Sequence, residues 1–278
     1  FVARVSQEMM WQGLIEGYAS RSDELGQLLE AENGRSLGRL ELDPTVEMPE
    51  YYERVEFHIR PGSYWNGDHQ GWFTEGANWI YFSGQNDQRG QQYGSVEMFC
   101  KLVPDLQPTR VLDMACGIGQ STWPLKERWP AAEVHGIDLS APLLKYAHRV
   151  ASEKGLEINF SQQAAERTKF ESESFDLVFA YILYHELPAQ AAREVTAEAY
   201  RLLKPGGWFC IADIQQYSDM TPYRAFIADW QTLHNGEPYW RAWGLTDREK
   251  LFGDAGFRNY RWMKSPAPMI TGVWTGQK

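Results

Sequence analysis

Apolar residues recur every three to four positions from Ser6 to Leu29, and this spacing predicts one or two amphipathic helices. Between Asn33 and Tyr93 the pattern breaks into short apolar pieces separated by prolines and glycines. Such a pattern favours loops and short strands over a second hydrophobic core. We therefore treat residues 1–97 as an N-terminal extension, helical at first and irregular afterwards.

Beyond residue 97, a helix predicted at Ser95–Val103 leads into apolar runs that alternate with helix-length segments. Strands separated by helices are typical of βαβ units with parallel pairing. The sequence thus predicts an α/β domain over residues 98–278, with an insertion at about residues 215–245. The predicted strands are Arg110–Met114, Glu133–Asp138, Ile158–Gln162, Phe175–Tyr181, Trp208–Ile214, Phe257–Met263 and Thr271–Gly276.

Charge and composition exclude several classes of function. The 278 residues carry a formal net charge of −10, which would repel a phosphate backbone, so no nucleic-acid partner is expected. No apolar run approaches the roughly 18 residues of a membrane span, so no membrane partner is expected either. Three scattered cysteines suit neither a disulfide framework nor a zinc site, and no metal is predicted. Residue 1 is Phe, and no secretory signal is recognised, so we expect a cytoplasmic protein of undetermined oligomeric state.

The turn after the first predicted strand of the domain carries the clearest chemical signal. Asp113 is followed by the small residues Ala115, Gly117 and Gly119, which let a ligand approach the backbone. A pyrophosphate-binding turn needs a further small residue where this chain has Thr122, and Asp113 would repel a pyrophosphate. Asp113 would instead attract the ammonium and sulfonium groups of S-adenosylmethionine, which carries no phosphate.

The next strand ends in Asp138, nineteen residues after Gly119. A carboxylate at this position can accept the ribose hydroxyls of a nucleoside, whether in a dinucleotide or in S-adenosylmethionine. The alternative role is a helix N-cap. Because Ser140 is available as the cap, we assign the ribose to Asp138.

Four segments resemble the motifs of class I S-adenosylmethionine-dependent methyltransferases, in the order and spacing of that family. They are VLDMACGIGQST, VHGIDLSAPLLKYA, ESFDLVFAYILYHEL and RLLKPGGWFCIADI, and the resemblance covers roughly residues 98–278. It implies a seven-stranded, mostly parallel Rossmann-like sheet with helices on both faces. The implied strand order is 3-2-1-4-5-7-6, with the seventh strand antiparallel. It also implies S-adenosyl-L-methionine as cofactor and S-adenosyl-L-homocysteine as product.

The resemblance also implies a set of cofactor contacts. They are Asp113, Ala115, Cys116, Gly117, Gly119, Ser121, Thr122, Asp138, Leu139, Ala165, Glu166, Ala180 and Tyr181. Two positions depart from the family pattern. Ala115 stands where many members have Gly, and Ala164 stands where many have an acid that binds adenine. The Ala165 amide, with Gln163 or Glu166 nearby, is the alternative adenine contact.

Candidate catalytic residues follow the fourth strand, where related small-molecule enzymes orient or deprotonate the acceptor. They are Tyr184, His185 and Glu186. A histidine pKa near 6.5 suits a general base, whereas the alternative for His185 is a structural hydrogen bond. For the other five histidines no functional role is predicted: His58, His69, His135, His148 and His234.

Aromatic residues make up 14% of the chain and concentrate at about residues 64–93 and 217–243. They either pack a core or line a pocket for an aromatic or cationic molecule. The candidate substrate contacts are Trp65, Trp72, Tyr81, Tyr93, Tyr217 and Trp230. An apolar stripe in Pro222–Asn235 is expected to cover the substrate, and it comprises Tyr223, Phe226, Ile227, Trp230 and Leu233.

Together these features predict methyl transfer from S-adenosylmethionine to a small-molecule O, N, S or C acceptor. The expected mechanism is an in-line displacement in an aromatic-lined pocket, where alignment contributes most of the rate. Two alternatives stay open. One is a catalyst that uses the bound sulfonium for cyclisation or elimination, and the other is a non-catalytic S-adenosylmethionine-binding module.

Overall fold

The computed structural model describes residues 2–30, 36–81, 84, 90–265 and 271–278. Within this part of the chain, one sheet contains eight strands. They are β1 (Leu40–Glu41), β2 (Arg110–Met114), β3 (Glu133–Asp138), β4 (Asn159–Gln162), β5 (Phe175–Tyr181), β6 (Leu203–Ile214), β7 (Arg258–Lys264) and β8 (Thr271–Gln277). Their order is β1-β4-β3-β2-β5-β6-β8-β7, and β8 runs antiparallel to both of its neighbours.

Eleven α-helices lie in the described part of the chain, and the first four of them belong to the extension. They are α1 (Val2–Ala19), α2 (Ser22–Glu30), α3 (Glu50–Glu53), α4 (Gln70–Tyr81), α5 (Gly90–Leu102), α6 (Thr122–Arg128), α7 (Ala141–Glu153), α8 (Ala189–Leu202), α9 (Pro222–His234), α10 (Trp240–Gly244) and α11 (Arg248–Ala255). Short 3₁₀ helices lie at Phe57–Ile59, Tyr184–Glu186 and Tyr217–Asp219. Among the described helices, none combines the length and the apolar character needed to cross a membrane.

The core forms on both faces of the sheet because side chains alternate along each strand. In β2, Leu112 and Met114 pack in the cluster that includes Val195 of α8. Val111, on the opposite face, packs with Phe99 of α5 and Leu144 of α7. Strands covered on both faces consist almost wholly of buried residues, which is why the predicted runs are nearly continuous in apolar residues.

The predicted strand order is confirmed, but the prediction of seven strands is wrong. Strand β1 comes from the extension and pairs in parallel with β4, where Leu40 lies opposite Phe160. A strand of two residues shows no periodicity, so the sequence pattern could not reveal it. The bounds of β2, β3 and β5 are as predicted, whereas β6 begins at Leu203, before the turn-like Lys204–Gly207 segment.

The extension contains the short strand β1 and loops, as predicted for residues 33–93, but it also contains helices that were not predicted. Its described part contains α3, α4 and the beginning of α5. Helix α4 fits closely against its neighbours, because a Cβ added at Gly71 would meet Tyr146 of α7 at 2.4 Å. One added at Gly76 would meet Leu14 of α1 at 2.9 Å. Gly71 and Gly76 are therefore helix-packing positions, whereas Gly38, Gly62 and Gly67 have positive φ values outside helices, as expected for loop glycines. Residue 97 lies inside α5.

The insertion also differs from expectation, because the apolar stripe of α9 faces away from the protein. The exposed fractions are 73% for Tyr223, 58% for Phe226, 40% for Ile227, 45% for Trp230 and 65% for Leu233. The cavity described below is instead bordered by Gln231 and Asn235, at the end of this segment. Helical periodicity identifies an apolar face but not the direction in which it points.

Candidate active site

A cavity of about 1090 Å³ lies at the carboxyl ends of β2, β3, β5 and β6. In open α/β sheets this edge is where ligands bind. Ligand pockets are commonly about 300–1,000 Å³, so this one has room for two small molecules. Its walls also include parts of the extension and residues from the insertion, among them Trp11, Tyr64 and Trp240.

Most of the predicted cofactor contacts line this cavity, and four do not. Those that line it are Ala115, Cys116, Gly117, Ser121, Asp138, Leu139, Ala165, Glu166 and Tyr181. Those that do not are Asp113, Gly119, Thr122 and Ala180. The first group lies on the turn after β2 and after the ends of β3, β4 and β5, which the sheet topology brings to one edge.

Asp113 does not line the cavity but hydrogen-bonds residues of the turn after β2 and the beginning of α6. Its Oδ2 atom accepts hydrogen bonds from Ser121 Oγ at 2.7 Å and Thr122 Oγ1 at 2.6 Å. The Oδ1 atom is buried and has no hydrogen-bond partner among the described residues. Burial raises the pKa of Asp113 to about 7 against the opposing effect of the two hydroxyl hydrogen bonds. The carboxyl group therefore carries an unsatisfied acceptor directly behind the cavity wall.

Asp138 joins the turn after β2 to the beginning of α7. Its Oδ2 accepts from the Gly117 amide and its Oδ1 from the Ser140 amide, both at 2.8 Å. Burial raises the pKa of Asp138 to about 6, although these backbone hydrogen bonds oppose the shift. Ser140 caps α7 by accepting from the Leu143 amide. The cap role considered for Asp138 thus belongs to Ser140, and Asp138 faces the cavity.

The side chains after β4 are already engaged with the protein. Gln163 donates from Nε2 to Ser161 Oγ at 2.8 Å and accepts from the Lys169 amide at 2.6 Å. Glu166 accepts from the hydroxyl of Tyr51 at 2.5 Å. Gln163 and Glu166 therefore already use their side chains for hydrogen bonds within the protein. Of the three predicted adenine contacts, only the Ala165 backbone is not involved in these bonds.

A buried His–Asp pair stands at the opposite end of the cavity wall. Nδ1 of His185 lies 2.7 Å from Oδ1 of Asp213, and the imidazole lines the cavity. Asp213 also accepts from the amides of Tyr184 at 2.7 Å and Ile214 at 2.6 Å. Burial alone lowers the pKa of His185, but the charge of Asp213 outweighs it and raises the pKa to about 9. Asp213 was not predicted, although an acid near the end of a buried strand was available as a signal.

Tyr184 points the other way and does not line the cavity. Its hydroxyl group bonds with Thr196 Oγ1 at 2.8 Å, and its ring packs 5.3 Å from that of Trp243. Consecutive residues of a 3₁₀ helix are about 120° apart, so Tyr184 turns into the core while His185 and Glu186 turn to the cavity. Tyr184 therefore supports the loop and is not placed to touch an acceptor.

A second histidine, His58, lines the cavity between two glutamates, a position that its surroundings in the sequence did not predict. Its Nε2 lies 3.1 Å from Glu186 Oε1, and its Nδ1 lies 2.6 Å from Glu237 Oε1. The hydroxyl of Tyr64 also donates to Glu186 Oε1, at 3.0 Å. Burial lowers the pKa of His58, but the charges of Glu237 and Glu186 raise it to about 10.

The backbone at His58 is strained and held in place by α1. His58 and Ile59 both have left-handed φ values, 57° and 55°, which are costly for residues other than glycine. Trp11 Nε1 donates to the carbonyl of His58 at 2.8 Å, and Gln7 Nε2 donates to the same oxygen. Strained backbone persists only where surrounding contacts impose it, and in proteins it is found most often at functional sites.

The predicted substrate contacts lie elsewhere. None of Trp65, Trp72, Tyr93, Tyr217 and Trp230 lines the cavity, and the side chain of Tyr81 lies outside the described residues. Trp72 packs edge-on against Tyr146, Tyr217 donates to Asp229, and Trp230 stacks on His234 at the surface. The aromatic residues that do line the cavity are Trp11, Tyr51, Tyr52, Tyr64, Tyr181 and Trp240.

Comparison with known proteins identifies the domain. Residues 111–207 match the family described as methyltransferase domain. Demethylmenaquinone methyltransferase of Thermus thermophilus is 38% identical over 100 residues, 36% of this chain and 44% of that protein. An uncharacterized methyltransferase of Synechocystis is 31% identical over 153 residues, 53% of this chain and 66% of that protein. The first of these matches spans less than half of the relative's length.

The fold is shared with solved methyltransferases. The S-adenosylmethionine-dependent methyltransferase SibL in its apo form superposes with a TM-score of 0.58 and 18% identity, covering 76% of this chain and 61% of that one. The resemblance to class I S-adenosylmethionine-dependent methyltransferases is confirmed, and residues 111–207 are a methyltransferase domain.

Proposed function

We propose that this protein transfers the methyl group of S-adenosylmethionine to a small-molecule acceptor bound in the same cavity. The observation that carries the proposal is the layout of that cavity. Asp138 and the Gly117 turn border one part of it, and His185, held from behind by Asp213, borders another. One relative that matches the domain, demethylmenaquinone methyltransferase, acts on a small molecule by its name.

The residues of the turn after β2 suit the methyl donor. Asp138 has lone pairs left for the ribose hydroxyls after accepting two amides. A Cβ added at Gly117 would meet no atom within 4 Å, so the backbone there is open to a ligand. The unsatisfied Oδ1 of Asp113 lies behind this turn and favours a positively charged donor, with or without a bridging water.

The transfer itself needs an acceptor lone pair aligned with the methyl group. The new bond forms to the methyl carbon while the carbon–sulfur bond breaks, and its electron pair stays on the sulfur. An acceptor that loses a proton can deliver it to His185, whose Nδ1 is committed to Asp213 and whose ring lines the cavity. A positive donor nearby opposes the effect of Asp213 and lowers the pKa of His185, which readies Nε2 to take that proton.

The extension and the insertion together close the cavity. Residues 1–97 contribute Trp11 and Tyr64, and the segment 215–245 contributes Gln231, Glu237 and Trp240 to the lining. Excluding water strengthens every electrostatic contact inside such a site. We assign both segments to acceptor binding, as an N-terminal cover and an inserted cover on the methyltransferase domain of residues 98–278.

The proposal is tested by calorimetric titration of S-adenosylhomocysteine into the full chain. Wild-type protein binds, and Asp138→Ala weakens binding by at least about 10-fold, since hydrogen bonds to a charged group are worth about 1.5–3 kcal/mol. Asp105→Ala removes an exposed carboxylate outside the cavity and leaves affinity unchanged. Absence of binding by the intact protein would overturn the proposal.

Product mass separates methyl transfer from the two alternatives. Incubation with S-adenosylmethionine and an acceptor mixture yields a product heavier by one methylene unit if the protein methylates. A product of unchanged mass, or lighter by a leaving group, identifies cyclisation or elimination. Binding with no product from any acceptor identifies a non-catalytic module.

A further inference from the structure

The cluster of His58, Glu186 and Glu237 carries one more negative charge than it can neutralise internally. Each nitrogen of the His58 ring bonds a different carboxylate, with Nε2 at 3.1 Å from Glu186 and Nδ1 at 2.6 Å from Glu237. An imidazolium between two carboxylates leaves a net charge of −1. His185 attracts both glutamates and Arg60 lines the same cavity, so these two cations offset part of the charge. Neither of them hydrogen-bonds Oε2 of Glu237, which stays buried and unsatisfied among the described residues.

One oxygen of the cluster shows where a further cation would bind. Glu237 is only 4% exposed and lines the cavity, yet its Oε2 has no hydrogen-bond partner among the described residues. The buried Oδ1 of Asn235, which also lines the cavity, lacks a partner within the same part of the chain. Both atoms are hydrogen-bond acceptors, so the missing group is a donor. An ammonium group has three donors, no acceptors and one positive charge.

The surroundings fit an organic cation. Tyr52 and Trp240 line the same cavity, whereas the guanidinium of Arg60 already lies over the ring of Tyr64 at 4.9 Å. Aromatic faces attract cations with about 0.5–2 kcal/mol each. Resting on the function proposed above, we propose that the His58–Glu186–Glu237 cluster binds the ammonium group of the acceptor, which is therefore a small cationic amine.

A divalent metal ion fits this arrangement less well. The candidate ligand atoms of His58, Glu186 and Glu237 lie within 4.8 Å of one another. However, the two ring nitrogens of His58 point to different carboxylates, so one ion cannot take a nitrogen and both carboxylates without breaking a hydrogen bond. An ammonium at Glu237 Oε2 leaves both of these bonds in place.

The test compares a cation with its neutral counterpart. Phenethylamine and 2-phenylethanol are titrated into the full chain saturated with S-adenosylhomocysteine, and their affinities are measured by ligand-observed NMR. We expect the amine to bind at least about 10-fold more tightly than the alcohol, which corresponds to about 1.4 kcal/mol. Glu237→Gln abolishes this preference, whereas Glu97→Gln, which removes an exposed carboxylate on α5, preserves it.

Each other outcome overturns the ammonium site. These outcomes are equal affinities for the two probes, no detectable binding of the amine, or a preference that survives in Glu237→Gln. Displacement of phenethylamine by Mn²⁺ with loss of Mn²⁺ binding in His58→Gln would assign the cluster to a metal. Unchanged affinity of Glu237→Gln for S-adenosylhomocysteine shows that the variant is folded. Failure of S-adenosylhomocysteine to bind wild-type protein would refute the proposed function instead, so the two failures are distinct.

Discussion

The imidazole of His185 and the carboxylate of Asp213 face each other across 2.7 Å, and this contact ties the loop after β5 to the end of β6. Both side chains are buried, with exposed fractions of 3% and 0%. Three hydrogen bonds converge on Asp213, from His185 and from the amides of Tyr184 and Ile214. These contacts restrain both side chains, and they leave Nε2 as the ring nitrogen of His185 that is not paired with Asp213.

Loss of either partner of this pair should slow methyl transfer. We expect Asp213→Asn and His185→Gln each to lower kcat by about 10²-fold, the lower end of the range for general acid–base catalysis. Because the two residues act as a unit, the double variant should be little worse than either single one. The measurement is single-turnover methylation of the acceptor, with affinity for S-adenosylhomocysteine as the folding control. A normal kcat with a normal pH profile in Asp213→Asn would leave the pair a purely structural role.

The stability of the protein should fall between neutral and alkaline pH. The pKa values of His58 and His185 are raised from 6.5 to about 10 and about 9 by their carboxylate partners. A histidine whose pKa is raised by folding stabilises the folded state. Its contribution is complete below the pKa of the unfolded state and is lost as pH rises through the pKa of the folded state. We expect the free energy of unfolding, measured with urea, to decline from pH 7 to pH 10.

A variant comparison isolates the share of His58 in that decline. His58→Gln should be less stable than wild type at pH 7 and approach it above pH 10, where the wild-type imidazole is neutral. His148→Gln serves as the control, because burial lowers the pKa of His148 and confines its titration to more acidic pH. If the free energies of unfolding of wild type and His58→Gln differed by the same amount at every pH in this range, His58 would not carry a positive charge at pH 7.

The ionised carboxylate of Asp113 should lower the stability of the ligand-free protein and strengthen binding of S-adenosylmethionine. Burial raises its pKa from 3.8 to about 7, so the free energy of unfolding of the ligand-free protein falls as pH rises from about 4 to about 7 and stays lowered above that. Asp113→Asn retains an oxygen for Ser121 and Thr122, and we expect it to raise the free energy of unfolding by about 2 kcal/mol at pH 8. The gain should shrink as pH falls below 7 and vanish below about pH 4, where Asp113 is protonated in both the folded and the unfolded state. The same variant should bind S-adenosylmethionine more weakly, and tighter binding would argue against an electrostatic role.

Two glycines of the turn after β2 should respond differently to alanine. Gly119 has φ +81°, and an added Cβ would lie 2.8 Å from Nε1 of the buried Trp123. Gly117 has φ +54° but nothing within 4 Å. We expect Gly119→Ala to destabilise by about 3 kcal/mol, from strain and overpacking, and Gly117→Ala by about 1 kcal/mol, from strain alone.

Urea denaturation measures both effects, and Gly94→Ala in α5 provides the control. A Cβ added at Gly94 would meet no atom within 4 Å, and Gly94 has no positive φ. Alanine there should therefore stabilise the helix by about 0.5–1 kcal/mol. Equal losses at Gly117 and Gly119 would show that Trp123 yields to the added methyl group.

The amino-acid sequence by itself determined the Rossmann-like fold and the part of the cavity beside the turn after β2. Asp138, Gly117 and Ala165 were predictable because each lies at the carboxyl end of a parallel strand or within three residues after it, and parallel strands bring these ends to one edge. Contacts of this kind are local in the chain, so hydrophobic period and turn chemistry suffice to place them. Asp213 carried the same signal at the end of β6.

Only the tertiary structure decided the part of the cavity around His58. His58 and Glu237 lie 179 positions apart in the chain and meet through one hydrogen bond, while α1 holds the strained backbone of His58 in place. The stripe of α9 shows the same limit, since its spacing is helical as predicted but its apolar face points outward. Periodicity fixes which side chains share a face. The direction of that face depends on packing between distant segments, which no local pattern records.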